Sequence, residues 1–533
     1  MNSDEIIDAL EITAKLLELH NENPFKVKAY TVAAYKLSKL RYDFEGKSQE
    51  DIEAIEGIGK GISSKINELI KTGSTLELSE LLKKTPEGIV KMLGIKGLGP
   101  KKIRQLWNEL NLESVGELLY ACNENRLITL KGFGEKTQAQ IKQNIEFSIH
   151  NSNKFHYALI EKPVQNLIDF ILEHQSELQI CVVGQLARKY EVIDKVEILL
   201  DGEVSLDMSA FENKIPLKVD YFFCKPNEFF YKLVELSSTA EHLEKIDFDS
   251  LNDTEFFDDE EIYEALNLQY IEPELREGLN EVLLAKQNNI PKLIELDDLK
   301  GVLHNHTTFS DGVHSLAEMA EYCKVLGYEY LGISDHSRAA FYAQGLSIEK
   351  VIEQQEQIDK LNLTFSNFTV LKGIESDILN DGSLDYPDEV LKTFDFIVAS
   401  IHSNLKMDEE KATKRLVKAI ENPYTSILGH PTGRLLLARP GYPINFKKVI
   451  DACAANKVSV ELNAHPYRLD IDWRWIWYCL EKNVKISINP DAHRKEGFHD
   501  MYYGVCVARK GMLSKEFCLN ALNLAELKTF LRK

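Results

Sequence analysis

The sequence predicts a multidomain α/β protein, with an all-α N-terminal region, a small α+β segment in the middle and a distorted (β/α)7 barrel at the C-terminal end. Three observations carry this. A Gly–apolar–Gly motif recurs three times before residue 150, acidic charge concentrates between residues 151 and 300, and after about residue 298 seven short apolar runs alternate with helical segments. A chain of 533 residues is too long for one ordinary domain, and 44% hydrophobic residues suffice for several cores.

The N-terminal motif appears as "IEGIGKGISSKINELI" (55–70), "LGIKGLGPKKIRQLW" (93–107) and "LKGFGEKTQAQIKQNI" (130–145). In each, the glycines permit a tight turn and an amphipathic helix follows. The helix start presents free N–H groups, which suit an anion, and lysines recur just downstream. A packing turn that needs glycine would explain one copy better than three. The segments resemble helix-hairpin-helix elements, which grip the DNA backbone without reading its sequence. The resemblance marks Gly57, Gly59, Lys60, Gly97, Gly99, Lys101, Lys102, Gly132, Gly134 and Lys136 as DNA-binding residues, in two regions spanning 1–80 and 81–150.

The charge is uneven. Residues 1–150 hold 21 Lys+Arg against 22 Asp+Glu, residues 301–533 hold 28 against 30, and residues 151–300 hold 14 against 32. Nearly all of the net −21 therefore lies in the middle segment. That segment should repel phosphates, which leaves the two ends as candidates for nucleic-acid contact. No run approaches the ~20 apolar residues of a membrane span. The acidic start "MNSDEIIDAL" lacks a signal peptide's pattern, and the eight cysteines lack C-x-x-C spacing. Together these predict a cytoplasmic protein with reduced thiols and no membrane partner.

The C-terminal runs are "GVLHNH", "YEYLGISDH", "FTVLKGIES", "FDFIVASIH", "YTSILGH", "VSVELNA" and "VKISINPDAH". Apolar runs separated by helices such as "SLAEMAEYCKVLG" imply a parallel sheet, and seven units in ~230 residues imply a closed or nearly closed barrel. Six of the seven runs end in a potential metal ligand: His304 and His306 with Asp311 in the following loop, then His336, Glu375, His402, His430, and finally Asp491 with His493. The sixth ends in Asn463, with His465 nearby. Strand ends of such barrels share one face, so these nine side chains are expected to converge. A single histidine there would be an ordinary structural residue, as His314 and His499, away from strand ends, are read to be. Arg338, Arg434 and Arg468 follow three of the strands and are candidates to hold a phosphate. Asp335, beside His336, is expected either to orient a metal ligand from behind or to cap the next helix.

Residues 295–533 resemble the PHP (polymerase and histidinol phosphatase) domain at all nine positions. The resemblance implies a trinuclear cluster of divalent metals, Mn²⁺, Zn²⁺ or Fe²⁺. One would take His304, His306, Glu375 and Asp491. A second would share Glu375 with His402 and His430, and a third would take Asp311, His336 and His493. Such a cluster activates water and neutralises phosphate oxygens.

The order of parts resembles the bacterial and archaeal X-family DNA polymerases. "ENPFKVKAYTVAA" (22–34) is similar to their lyase-like domain, and Lys65 falls where that domain carries a Schiff-base lysine. The polymerase palm and thumb should occupy 151–290. The family's palm motif G-S-x-R-R-x-x-E-T-x-G-D-x-D stands here as "GQLARKYEVIDKVE" (184–197). Gly184, Arg188 and Glu191 fit, Gln185 and Ala187 depart, and Lys195 and Glu197 replace the two metal-binding aspartates. Asp220 supplies the third carboxylate after a shortened gap. Asp194 is expected to point away from the site by strand alternation. Together these imply a degenerate palm. The function expected is a metal-dependent phosphoesterase acting on DNA in repair, by 3′-5′ exonuclease, 3′-end processing or abasic-site cleavage. Three alternatives are an active X-family polymerase with a PHP exonuclease, a histidinol-phosphate-type small-molecule phosphatase, and a DNA-binding scaffold without catalysis.

Overall fold

The computed structural model describes all residues except 1–2, 41–43, 45–46, 56, 96, 150–153, 252–253 and 532–533. The chain divides into two compact units, Met1–Asn151 and Ser152–Lys533.

The first unit is helical throughout its described residues. Its three Gly–apolar–Gly turns share one geometry. The first glycine of each is left-handed, with φ of 91° at Gly57, 88° at Gly97 and 90° at Gly132, a region that a side chain enters only at a cost. The apolar residue between the glycines, Ile58, Leu98 or Phe133, is buried and anchors the turn. The second glycine is extended at Gly59 and Gly99 and N-caps the helices Lys60–Thr72 and Pro100–Leu110 without a side-chain cap. In the third copy the helix Glu135–Ile149 starts directly after Gly134.

In the second unit the first strand, Phe155–His156, pairs antiparallel with Val192–Ile193, and a separate three-stranded sheet lies in the same segment. Val196–Leu200 lies at its centre, antiparallel to Ile180–Val183 and parallel to Val219–Phe223. The barrel follows. Its seven strands are Gly301–Val302, Tyr330–Ile333, Thr369–Asp377, Phe396–Ser400, Ile427–Leu428, Ser459–Asn463 and Ile486–Asn489. They lie side by side in chain order, and every pairing is parallel. A parallel bridge from Asn305 to Ala492 brings the ends of the first and last strands together. The strands are buried on both faces, which is why their sequences read as continuous apolar runs and not as alternation.

The barrel is also fastened by the chain's end. The buried Asn520 side chain donates to the Gly301 carbonyl and accepts from the Ile488 N–H, at 3.0 and 2.7 Å. It therefore ties the first strand to the last. Leu519 and Leu527 pack into a core with Leu303, Tyr330 and Phe396.

The middle segment, which carries this palm-like sheet, is joined closely to the barrel. His156 is buried, stacks on Tyr467 with ring centres 4.2 Å apart, and meets the Leu436 carbonyl at 3.0 Å. Lys510 is buried beneath the Tyr190 and Trp473 rings, donates to the Arg188 and Glu274 carbonyls and pairs with Glu277. A buried ammonium requires such saturation, since an unpaired charge there would be very costly.

Candidate metal centre

The nine expected residues meet at the C-terminal ends of the barrel strands, and all are at least nine-tenths buried except His402, which is nearly so. Glu375 stands at the middle. Its Oε1 lies 3.1 Å from Nε2 of both His402 and His430 and 3.3 Å from Nε2 of His304, while its Oε2 lies 2.9 Å from His336 Nδ1. Asp491 Oδ1 lies 3.0 Å from His306 Nε2 and 3.5 Å from His304 Nε2. Asp311 approaches His493 at 3.4 Å and His336 at 3.7 Å.

The donor atoms form three overlapping groups in which all atoms lie within 4.8 Å of one another: His306, Asp311, His336 and His493; His304, His306 and Asp491; and His336, Glu375 and His402. This differs from the partition drawn from the family resemblance in two respects. His306 faces the Asp311 group as well as Asp491, and His336 faces Glu375 as well as Asp311. The cage is one connected set.

The cage fits divalent metal. His304 Nε2, Asp311 Oδ2 and Glu375 Oε2 are buried and make no hydrogen bond, although a buried polar atom normally finds a partner. Charge points the same way. Burial alone would strip His304 of its proton, but the carboxylates of Glu461, Asp491 and Glu375 outweigh it and hold its pKa well above the usual value. His402 is likewise raised to about 10, with Glu375 and Asp377 overcoming burial. For Glu375, burial disfavours the charge, but His402, His304 and His336 keep its carboxyl well below the ordinary range. The carboxylates thus favour positive charge at His304 and His402, whereas burial and the neighbouring His493 and His336 lower the pKa of His306.

A second layer of groups aims these side chains, and most of it escaped sequence reasoning. Glu461, fully buried, accepts from His304 Nδ1 at 2.7 Å and from the His430 N–H at 2.7 Å. Asp377 meets His402 Nδ1 at 2.5 Å. Each fixes which ring nitrogen faces the centre. Asn463 donates to Asp491 Oδ2 at 3.0 Å. The available signal for Glu461 was a carboxylate inside the apolar run "VSVELNA". Asp335 takes the positioning role, not the capping one. It accepts from Thr307 N–H and Oγ1, both at 2.7 Å, and from Gln354 Nε2 at 2.6 Å, which holds the loop that carries Asp311. The next helix is capped by Ser347 instead.

The three arginines separate. Arg468 Nε lies 3.7 Å from Asp491 Oδ2, at the edge of the cage. Arg338 is half exposed beside Asp385. Arg434 is a correction, because its guanidinium is consumed by protein partners. It donates to Asp472 at 2.7 Å, Glu191 at 3.4 Å, the Arg468 carbonyl at 3.0 Å and the Leu469 carbonyl. It has no fork left for a phosphate and instead braces the loop that carries Arg468. His314 and His499 make ordinary contacts with Lys495 N–H and Tyr322.

In the palm-like sheet, Glu197 stands opposite Asp220 on the neighbouring strand. Asp220 is engaged by Lys218 at 2.6 Å. Lys195 is exposed, in the bend before the strand. Asp194 lies in that same bend, and its N–H bonds Gln185 at 3.0 Å. Strand alternation therefore does not govern where Asp194 points, which corrects the expectation. In the helical unit, Lys60, Lys101 and Lys136 are exposed and Lys102 lies over the Phe133 ring. Lys65 pairs with Glu68 at 2.7 Å on its own helix.

Family profiles match three stretches: a helix-hairpin-helix domain over residues 1–75, a SAM-like helix-hairpin-helix tandem over 89–146 and a PHP domain over 303–465. The chain is 33% identical to the DNA polymerase/3′-5′ exonuclease PolX of Bacillus subtilis (strain 168), in an alignment of 573 positions covering all of both chains. The chain belongs to the PolX family of X-family DNA polymerases. Parts of it also resemble a probable phosphatase of Acetivibrio thermocellus, 30% identical over 36% of this chain and 78% of that one. A probable phosphatase of Thermoanaerobacter sp. (strain X514) is 26% identical over 43% of this chain and 93% of its own. The PolX family assignment accounts for the helix-hairpin-helix turns and the PHP barrel on one chain. Among the described residues no helix is long and apolar enough to cross a membrane.

Proposed function

We propose that this PolX-family chain is a metal-dependent phosphoesterase acting on DNA ends or damaged sites, and that its palm does not add nucleotides. The observation that carries the reading is the single buried cage of nine donors with orphaned atoms. His304, His306, Asp311, His336, Glu375, His402, His430, Asp491 and His493 would hold divalent metals there. When bound, the metals supply Lewis-acid activation of water and charge neutralisation of the phosphate. The protein's own groups do the rest. Glu461 and Asp377 hold the imidazoles in one tautomer and orientation, the barrel wall excludes bulk water, and Arg468 and Arg338 offer donors to phosphate oxygens at the rim.

The helix-hairpin-helix turns would bring the DNA backbone to Gly57, Gly59 and Lys60, to Gly97, Gly99, Lys101 and Lys102, and to Gly132, Gly134 and Lys136. The reading is tested by Mn²⁺-supplemented assays on 3′-recessed, gapped and abasic DNA, with and without dNTPs. His304→Ala and Asp491→Ala should each abolish hydrolysis and lower bound metal. Hydrolysis that persists in a metal-verified double variant would overturn the assignment.

A second reading, template-directed synthesis, is favoured by the full-length similarity to a relative named as a polymerase. Lys195 opposes it, since a lysine stands in the sequence where the family motif carries a metal-binding aspartate, and Lys218 pairs with Asp220. Primer extension in the His304→Ala background, where degradation cannot mask synthesis, should give no dNTP-dependent product. Clear elongation would restore the polymerase reading. Abasic-site chemistry at Lys65 is tested by borohydride trapping, with Lys65→Ala as control. The Glu68 pairing supports a plain phosphate-contacting lysine, so no trapped adduct is expected.

A further inference from the structure

We infer that the groove between the middle segment and the barrel receives the acidic loop around Phe257 of a second copy of this chain, in a reciprocal pairing of two molecules.

The groove holds about 720 Å³. Leu279 and Leu284 line it from the middle segment, Trp477 and Met512 from the barrel. Leu279 is 55% exposed and Trp477 45%, so both walls turn apolar surface to water. Single apolar residues scattered over a surface are ordinary, but two facing walls of a concave site are not. The charge of the groove is the reverse of its surroundings. Residues 151–300 hold 14 Lys+Arg against 32 Asp+Glu. The charged residues lining the groove are nevertheless Lys245, Arg474 and Lys510, with Glu277 as the one anion among the described residues. Glu277 is taken by Lys510. Lys245 bonds the Gly278 and Leu279 carbonyls and, among the described residues, meets no carboxylate. Arg474 is half exposed and shares Asp472 with Arg434. Such a groove suits an apolar group that arrives among carboxylates.

The chain itself carries such a group. The segment "EFFDDEEIYE" (255–264) has six acidic residues and no basic one. Of its adjacent phenylalanines, Phe256 is buried in a core with Ile246, Ile262 and Tyr263, while Phe257 is 73% exposed. The Phe257 N–H bonds a Glu261 carboxylate oxygen at 2.8 Å and the Glu261 N–H bonds Asp258 at 2.8 Å, so the turn closes on itself. Asp259 is engaged by Arg276 at 2.6 Å and Tyr270 at 3.0 Å. Glu255, Asp258 and Glu260 stay exposed and, among the described residues, meet no cation. The tip thus presents one apolar ring among unpaired carboxylates, the complement of the groove in both respects. An aromatic anchor seated in a concave site, with matched charge around it, is the arrangement that carries most association energy and sets its specificity.

The loop does not fill the groove of its own molecule, since Phe257 stands in solvent. Loop and groove nevertheless belong to one core: Leu284 and Met512 of the groove pack against the cluster that buries Phe256. Two copies related by a two-fold axis would each supply a loop and a groove, so the contact occurs twice and the pair closes.

The test measures the oligomeric state of the full chain by sedimentation velocity over a range of concentrations, at low and at high salt. The wild type should dimerise, more weakly as salt rises. Phe257→Asp and Trp477→Glu should each weaken the dimer at least about tenfold, because each removes both copies of the contact. An equal mixture of the two variants should dimerise again, since Phe257→Asp brings an intact groove and Trp477→Glu an intact loop. A wild type that stays monomeric overturns the inference. So does a dimer that Phe257→Asp leaves unchanged, as two grooves facing each other would produce, and so does a mixture that associates no more tightly than either variant alone. Melting temperatures equal to that of the wild type exclude misfolding as the cause.

Discussion

Glu461 touches no substrate in any arrangement argued above, yet it holds both His304 and the His430 backbone. Replacing it by glutamine keeps the volume and removes the charge that fixes the His304 tautomer. Glu461→Gln is expected to lower metal content and diester hydrolysis about 10- to 100-fold, read by metal analysis of the purified protein alongside turnover. His156 gives a prediction of another kind. Burial outweighs its bond to the Leu436 carbonyl and lowers its pKa to about 4 from 6.5. Between those values the unfolded chain binds the extra proton, so acid favours unfolding. The group's contribution is complete above about pH 6.5 and is lost as pH falls towards 4, a total of about 3 kcal/mol. His156→Phe should cost about 1 kcal/mol at pH 8 for the lost hydrogen bond and flatten the fall in stability between pH 6.5 and 4, measured by denaturant unfolding as a difference from wild type. At this scale the sequence was legible where chemistry is carried by residue type at strand ends. It was not legible where meaning depends on a distant neighbour. Arg434 looks like a phosphate donor until Glu191, 243 residues earlier in the chain, is seen to face it.

Among elements, the repeated turn separates conformation from access. Gly97 is left-handed, and Gly99 is extended with open space around the position a Cβ would take. Gly97→Ala should therefore destabilise the helical unit by about 1–2 kcal/mol. Gly99→Ala should cost little stability but weaken DNA binding, because its methyl stands over the helix start where a backbone phosphate would approach. Thermal unfolding and a DNA titration on both variants check this; the reverse pattern would refute the assignment of roles. The turns were readable in the sequence because one spacing recurred three times. The barrel strands were readable because burial on both faces removes the polar alternation that would otherwise blur them. The bend at Asp194 and Lys195 was not, because a two-residue break in an apolar run leaves no local mark on where the strand begins.

For the whole molecule, the acidic middle segment separates two ends that are nearly neutral in net charge. If the helical unit delivers DNA, a chain lacking residues 1–150 should hydrolyse bis(p-nitrophenyl) phosphate at close to the full rate. Its turnover of DNA should fall, and the full-length chain's advantage should shrink steeply as salt rises. Equal DNA turnover by the two chains at low salt would remove the delivery role.

The tie made by Asn520 has a consequence for how the enzyme is made. Residues from the two edges of the barrel must meet before the cage exists: His304 and His306 come from one edge, Asp491 and His493 from the other. Closing the barrel at that seam and completing the donor set are therefore one event, and loss of the Asn520 tie should part the nine donors into two incomplete groups.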